Sequence, residues 1–266
     1  MTMSKKGIDI SEHNGNAETA IKGADFVMVR SSWGHFAIDK KLEDNVKLCK
    51  KHGKPYGFYH FSYARNYKEA KDEAHKCMNL ISRYGNTYPI ALDLEWDDGA
   101  NWKKNNGITY ASEMEVLKAW KEVVEQECKT YLLLYCNRSF YNQLKAVNEA
   151  RLKSVDLWLA EWGVSEPSIP CGMWQYRGDP LDLDVAYYDY PTLLKGLHKG
   201  NSQKPTTEIK VGDKVSPKEA VNYDGVKLIA DVKGMKLDVI EISGDRIVVS
   251  YPTGGTEAFA KSNLKK

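Results

Sequence analysis

The sequence lacks the marks of several large protein classes. Its five cysteines, Cys49, Cys77, Cys128, Cys136 and Cys171, are odd in number and widely spaced, so neither a disulfide framework nor a Cys-x-x-Cys zinc site is indicated. No apolar run follows the two lysines of the opening Met-Thr-Met-Ser-Lys-Lys, so no secretory signal is read, and no later segment has the length of a membrane span. Synthesis in a reducing cytoplasm and no membrane insertion are therefore expected. A formal net charge of only +2 supplies no basic field for nucleic acid. No Gly-x-Gly-x-x-Gly or P-loop pattern follows a candidate strand, the six histidines show no His-Glu-x-x-His spacing, and there is no Gly-x-Ser-x-Gly elbow. The chain is thus expected to need no cofactor, no metal and no obligate protein partner.

What the chain does carry is an ordinary globular mixture, 42% hydrophobic and 28% charged, with 16 Tyr and 7 Trp among its 266 residues. That length accommodates one large domain and a small one. Candidate strands are Gly7–Ile10, Phe26–Ser31, Tyr56–Phe61, Ile90–Leu94, Thr130–Cys136, Leu157–Glu161 and Met173–Tyr176. Between them, apolar residues at helical spacing predict helices over Lys40–His52, Lys68–Tyr84, Ser112–Cys128 and Ser139–Leu152. Alternating strands and helices, with several strands apolar at successive positions, imply a parallel sheet covered by helices. The number of strands favours a closed, irregular (β/α) barrel of about eight strands over an open sheet, with few helices in the last third.

A composition shift ends this region. "LHKGNSQKPTT", Leu197–Thr207, is polar, contains glycine and proline, has no period, and reads as a linker between a domain of residues 1–196 and another of residues 208–266. Beyond it, "GDKV", "KLIA", "KLDVIEI", "RIVVSY" and "AFA" predict short antiparallel strands, with hairpin connections at Ser243-Gly244-Asp245 and Gly254-Gly255.

The chemistry concentrates in "YPIALDLEWDDGA", Tyr88–Ala100, which begins like a buried strand and then carries Asp93, Glu95, Asp97 and Asp98. In a strand, residues two apart rise about 6.6 Å and share a face, so Asp93 and Glu95 project together while Leu92 and Leu94 project oppositely. Two carboxylates on one face of an apolar strand are costly to bury, and in parallel barrels active sites gather at the carboxyl ends of strands. Close like charges leave one acid protonated as a donor and the other ionised, the division of labour that glycoside hydrolysis requires. A lone Asp-x-Glu is more often a surface turn cluster or an ion-paired group. Here the pair follows Pro-Ile-Ala-Leu, and Asp9 in "GIDIS" repeats the apolar-acid-apolar pattern in the first strand. Asp182 in "GDPLDLDV" is a third candidate, with Asp184 as its competitor, although both also read as turn residues. Trp33, Tyr59, Tyr63, Trp96, Tyr135, Trp162, Trp174 and Tyr176 fall near the carboxyl ends of strands and are candidates to stack on sugar rings, about half of them being expected to fill core instead. Trp120 and Trp158 read as core. His13 and His60 are candidates to edge the cleft or to be hydrogen-bonded structural residues.

The ordered set "KGIDISEHNG", "FVMVRSSWG", "YGFYHFSYA", "IALDLEW", "LLLYCNRSFY", "LWLAEW" and "MWQY" followed by "LDLD" resembles the glycoside hydrolase family 25 lysozymes, the Chalaropsis-type N-acetylmuramidases common in bacteriophage endolysins. The resemblance covers about residues 5–190. It implies an irregular eight-stranded barrel and cleavage of the β-1,4 bond between N-acetylmuramic acid and N-acetylglucosamine in the peptidoglycan of a Gram-positive wall, reached after release from the cell that made the enzyme. It also implies that Glu95 is the general acid, Asp93 the carboxylate that supports the reacting sugar, and Asp9 and Asp182 further cleft aspartates. The choice between an enzyme nucleophile and the substrate's own 2-acetamido group stays open in the residues. The placement of both acids on one wall favours the latter. Two departures stand out: the closing Leu181-Asp182-Leu183-Asp184 replaces a Val-Asp-x-Asn pattern, and Glu161 occupies a position where a neutral or histidine side chain is expected. The tail resembles bacterial SH3-like wall-binding modules, which implies a small all-β domain tethering the hydrolase to its polymer. A chitinase-like hydrolase and a non-catalytic peptidoglycan-binding barrel are the alternatives.

Overall fold

A computed structural model describes residues 4–96, 101–200, 209–252 and 254–265, residues 196–200 as backbone alone. The chain divides into two units, Met1–Asn201 and Ser202–Lys266.

In the first unit the strands are β1 (Lys5–Ile10), β2 (Phe26–Gly34), β3 (Ala37–Ile38), β4 (Tyr56–Ser62), β5 (Ile90–Asp93), β6 (Leu132–Asn137), β7 (Asp156–Ala160), β8 (Met173–Arg177) and β9 (Asp182–Ala186). Eight of them close in the order β1–β2–β4–β5–β6–β7–β8–β9, with β9 returning to β1, while β3 hangs on the edge of β2. Neighbours from β1 through β8 run parallel; β9 is antiparallel to both β8 and β1. The helices are α1 (Glu18–Gly23), α2 (Leu42–Lys51), α3 (Tyr67–Ile81), α4 (Trp102–Asn105), α5 (Tyr110–Lys121), α6 (Arg138–Leu152) and α7 (Tyr190–Gly200). Among the described residues, no helix is long and apolar enough to cross a membrane.

Strand alternation divides the interior into two layers. Residues facing out of the barrel, such as Ile8, Val27, Phe58, Leu92, Leu134 and Leu159, pack with the helices in the principal core. Side chains facing in form a second cluster toward the amino ends of the parallel strands, including Phe26, Met28, Ala91, Leu133, Trp158 and Met173. Above this apolar plug, successive inward positions become polar, and it is there that the candidate acids emerge. Local signals fix the helices that follow the strands. Asn66 accepts from Glu69 N to begin α3, Thr109 and Ser112 form a capping box on α5, and Asn137, the last residue of β6, accepts from Phe140 N to begin α6.

Two expectations are corrected here, the place of Asp182 and the start of the linker. Asp182 does not lie in a turn beyond the last strand: it opens β9, an eighth strand hidden from sequence reading because its acids and the preceding proline resemble a loop. The last third of the barrel has few helices, as expected, and α7 follows β9 there. Its backbone stays helical to Gly200, four residues into the expected linker; positions 201–207 of that linker lie outside the described residues. Gly196 and Gly200 disguised this helix, whose Tyr190 and Leu194 are buried.

The second unit is a five-stranded antiparallel sheet of β10 (Lys214–Pro217), β11 (Leu237–Ser243), β12 (Arg246–Ser250), β13 (Thr256–Ala260) and β14 (Leu264–Lys265), ordered β13–β12–β11–β10–β14. Val215, Leu237, Val239, Ile247, Val249 and Phe259 fill its core. The expected strand "KLIA" is instead a single bridge between Val221 and Lys227 followed by a 3-10 turn at Ala230–Val232.

Closure of the barrel requires tight approach at Gly57 on β4, where an added Cβ would lie 2.3 Å from the carbonyl oxygen of Pro89 and 2.9 Å from Met28 Sδ. Gly57→Ala is expected to cost about 1–3 kcal/mol in urea unfolding, whereas Gly23→Ala, with nothing within 4 Å of the new carbon, should be close to neutral. Equal stability of the two variants would contradict this packing.

Candidate active site

At the carboxyl ends of the parallel strands the barrel opens into a cleft of about 780 Å³. Strand register builds its wall. Phe61, Asp93, Tyr135 and Trp158 are lateral neighbours across β4, β5, β6 and β7, and parallel strands place such neighbours about 4.8 Å apart on one face. Glu95 lies just past the end of β5. The backbone of Leu94 still donates to Tyr135 O at 3.0 Å, so the alternation continues and Glu95 joins Asp93 in lining the cleft while Leu92 and Leu94 are buried against helices. Asp97 and Asp98 lie outside the described residues.

On the opposite side, β1 and β9 pair so that Asp9 faces Asp182, with Gly7 beside Asp184. All three acids therefore point inward, Asp182 near the mouth and Asp184 one layer deeper. Asp9 accepts from Gln175 Nε2 at 2.8 Å, and Asp184 accepts from Trp158 Nε1 at 2.8 Å. Gln175 is a hub: its Oε1 also accepts from Tyr135 OH and from Trp162 Nε1, each at 3.1 Å.

The electrostatics follow from burial. Removal from water, reinforced by the charges of Asp184 and Asp182, holds the Asp9 carboxyl well above the usual carboxylate range, against the pull of the Gln175 hydrogen bond. Burial and the neighbouring Glu95 do the same to Asp93, with Lys103 and Arg30 opposing them. Burial pushes Asp182 up to about 6 and Asp184 up to about 8. Asp93 Oδ1 has no hydrogen-bond partner among the described residues, which further disfavours its charged form. Arg30 brings a guanidinium to the cleft and is itself held by Asp39 at 2.7 Å and Glu12 at 3.3 Å. Among the described residues, no group of three or more His, Cys, Asp and Glu is arranged to hold a metal ion.

Of the residues singled out in the sequence, Asp9, Asp93, Glu95, Asp182, Tyr59, Trp96, Tyr135 and Trp162 line the cleft, as does His13. Trp96 is braced by a hydrogen bond from its Nε1 to Tyr110 OH and by the ring of Phe140. Trp162 is 57% exposed and lies against Gly178, where an added Cβ would come within 2.3 Å of the indole. Trp174 and Tyr176 do not line the cleft. Gln175 takes the inward position on β8, so Trp174 faces the other way, is buried, donates to Glu161 O, and packs on Tyr176. Trp33 and Tyr63 also lie outside the lining, farther along β2 and just past β4. His60 is fully buried on the outward side of β4 between Ser32 and Glu73. Glu161 turns toward Ser168 and Arg138. Burial would raise its pKa, but the Ser168 N–H and hydroxyl and the Arg138 charge bring it below the usual range.

Sequence reading missed Arg30, Phe61, Asn137 and Gln175, and it assigned Trp158 to the core although its ring also forms part of the cleft. Gln175 was recoverable, since a polar residue two positions after inward Met173 on a short strand repeats the pattern that exposed Asp9 and Asp93.

Residues 8–183 match the model of the family described as glycosyl hydrolases family 25. The autolytic lysozyme of Clostridium acetobutylicum is 26% identical over 167 residues, 62% of this chain and 47% of that protein. Lysozyme M1 of Streptomyces globisporus is 23% identical over 189 residues, 66% of this chain and 62% of that one. The aligned part thus spans only about half to three-fifths of these two relatives. The crystal structure of the CTP1L endolysin is similar with a TM-score of 0.55 and 25% identity, covering 72% of this chain and 70% of that one.

The raised pKa of Asp184 carries a sign. Below about pH 4 the group is protonated in both folded and unfolded chains and costs nothing. As pH rises toward about 8 the unfolded chain releases a proton that the folded one retains, so folded stability is lost across that window. Asp184→Asn keeps an acceptor for Trp158 and removes the titration. In thermal unfolding the variant should gain on the wild type between pH 5 and pH 8, and a difference constant with pH would contradict the assignment.

Proposed function

The chain belongs to glycosyl hydrolases family 25, and on that premise we propose that its cleft cuts the β-1,4 bond between N-acetylmuramic acid and N-acetylglucosamine in Gram-positive peptidoglycan. One observation carries the reading: Asp93 and Glu95 line the same wall of an aromatic-sided cleft at the barrel mouth. Glu95, nearer the mouth, acts as the general acid on the glycosidic oxygen. Asp93, one layer below, meets the 2-acetamido group. Burial and Glu95 hold its pKa above the usual carboxylate range; in its ionised form it accepts the amide N–H and stabilises the positive charge that develops on the acetamide and sugar. In this substrate-assisted scheme the acetamide oxygen attacks the anomeric carbon, the bond to the leaving sugar breaks with a proton from Glu95, and water then opens the cyclic intermediate as its proton passes to the Glu95 carboxylate. Asp9 and Asp182 form the far wall, and Gln175 holds Asp9, Tyr135 and Trp162 in fixed relation. Similarity to proteins named as lysozymes and an endolysin supports peptidoglycan as the polymer and a phage-type lytic role.

The second unit is proposed as an SH3-like wall-binding module. Its small antiparallel sheet supports this, as does an apolar recess bordered by Leu228, Ile229, Val232, Met235 and Tyr251, with Ile229 left 73% exposed.

Glu95→Gln preserves shape and removes the proton. It should lower the rate of new reducing ends from Gram-positive sacculi by roughly 100- to 10,000-fold with the fold intact by circular dichroism. Nearly full activity in the variant would overturn the role of Glu95. Ends released from chitin but not from sacculi would favour a chitinase-like enzyme, and no ends from wild type on either polymer would favour a non-catalytic binder. For the second unit, Ile229→Asp in the full chain should reduce co-sedimentation with sacculi while leaving cleavage of soluble glycan fragments unchanged. Undiminished sedimentation would contradict its role.

A further inference from the structure

We propose that Trp33, Tyr63 and Trp102 form a second saccharide subsite that extends the cleft wall beyond Phe61 and holds a further N-acetylated sugar of the same strand. The inference rests on the reading of the cleft as the place where a glycan is cut. Its basis is a register shift in β2. Arg30 pairs with Tyr59, both lining the cleft, but the next pairs are Ser32 with His60 and Trp33 with Phe61. Ser31 is the extra residue of a β-bulge. Without it, strict alternation would send Ser32 to the cleft face and Trp33 toward the helices; with it, Trp33 follows Arg30 on the cleft face, beside Phe61. Tyr63, two residues after Phe61, continues the same face.

The rings are contiguous. Phe61 and Tyr63 are 5.1 Å apart edge-on, Tyr63 and Trp102 are stacked at 5.0 Å and 17°, and Trp33 meets Tyr63 at 6.5 Å. His35 closes the group at 5.0 Å from Trp102. Behind them Lys103 is fully buried, with Nζ 3.1 Å from Glu113 and 5.1 and 5.7 Å from the centroids of Phe61 and Tyr63, so the rings rest on a fixed cation. Trp33 is 37% exposed and His35 is exposed as well. A braced, partly exposed aromatic shelf that shares Phe61 with the cleft presents flat apolar faces to the C–H face of a pyranose and to an acetamido methyl. Its occupant is therefore the neutral backbone of the strand and not its charged peptide stems.

The test compares the full-length wild type with Trp33→Ala, Trp102→Ala and Trp33→Phe on two peptide-free substrates, long glycan strands and the tetrasaccharide. On long strands the alanine variants should raise KM roughly three- to tenfold with kcat unchanged, and Trp33→Phe should recover most of the loss. On the tetrasaccharide all four proteins should agree. Unchanged KM on long strands, or equal loss on both substrates, would overturn the subsite. If the wild type cuts neither substrate, the reading of the cleft has failed, and the shelf is judged separately by tryptophan fluorescence on titration with long strands. A signal abolished by Trp33→Ala supports the shelf, and no signal refutes it.

Discussion

Four aspartates, Asp9, Asp93, Asp182 and Asp184, project into one closed barrel, three of them buried, and the structure around the cleft is organised by the cost of placing them there. Carboxylates removed from water must be paired, hydrogen-bonded or protonated. Arg30 and Lys103 act as opposing cations on Asp93, and the hydrogen bonds from Gln175 and Trp158 offset part of the cost for Asp9 and Asp184. The remaining cost appears as a raised pKa at each acid, which favours its neutral form. Stability sacrificed in this way is expected where a fold is shaped by chemistry and not by packing alone.

The apolar plug beneath makes the arrangement possible. Phe26, Met28, Leu133 and Met173 close the barrel from below, and the strands change from apolar to polar within one alternation. The reversed strand β9 completes the site. Parallel strands deliver residues to the mouth at their carboxyl ends, whereas β9 enters from the mouth and delivers its first residue, Asp182, there and Asp184 deeper. Acids from strands of opposite direction thus face each other across a single opening.

Much of this was legible in the residues. The alternation in "IALDLE" and "GIDIS" announces inward acids, and seven strands carry enough apolar continuity to be placed to within about two residues, apart from the three that β2 adds at its end. What escaped did so for physical reasons. β9 contains too many acids to resemble a buried strand, because its hydrogen bonds to β1 and β8 outweigh its composition. Trp174 and Tyr176 were misplaced because proximity to a strand end does not fix the face. The outward turn of Trp174 is decided by one position of phase relative to Gln175, and the Ser31 bulge that redirects Trp33 leaves no mark in composition.

The most direct measurement is the chemical identity of the ends the enzyme makes. Gram-positive sacculi would be digested with the full-length protein, the new termini reduced with borohydride, and the products resolved by mass spectrometry. The account expects muramitol at the new reducing ends. Glucosaminitol there, or intact glycan with cuts only in the peptide, would contradict it.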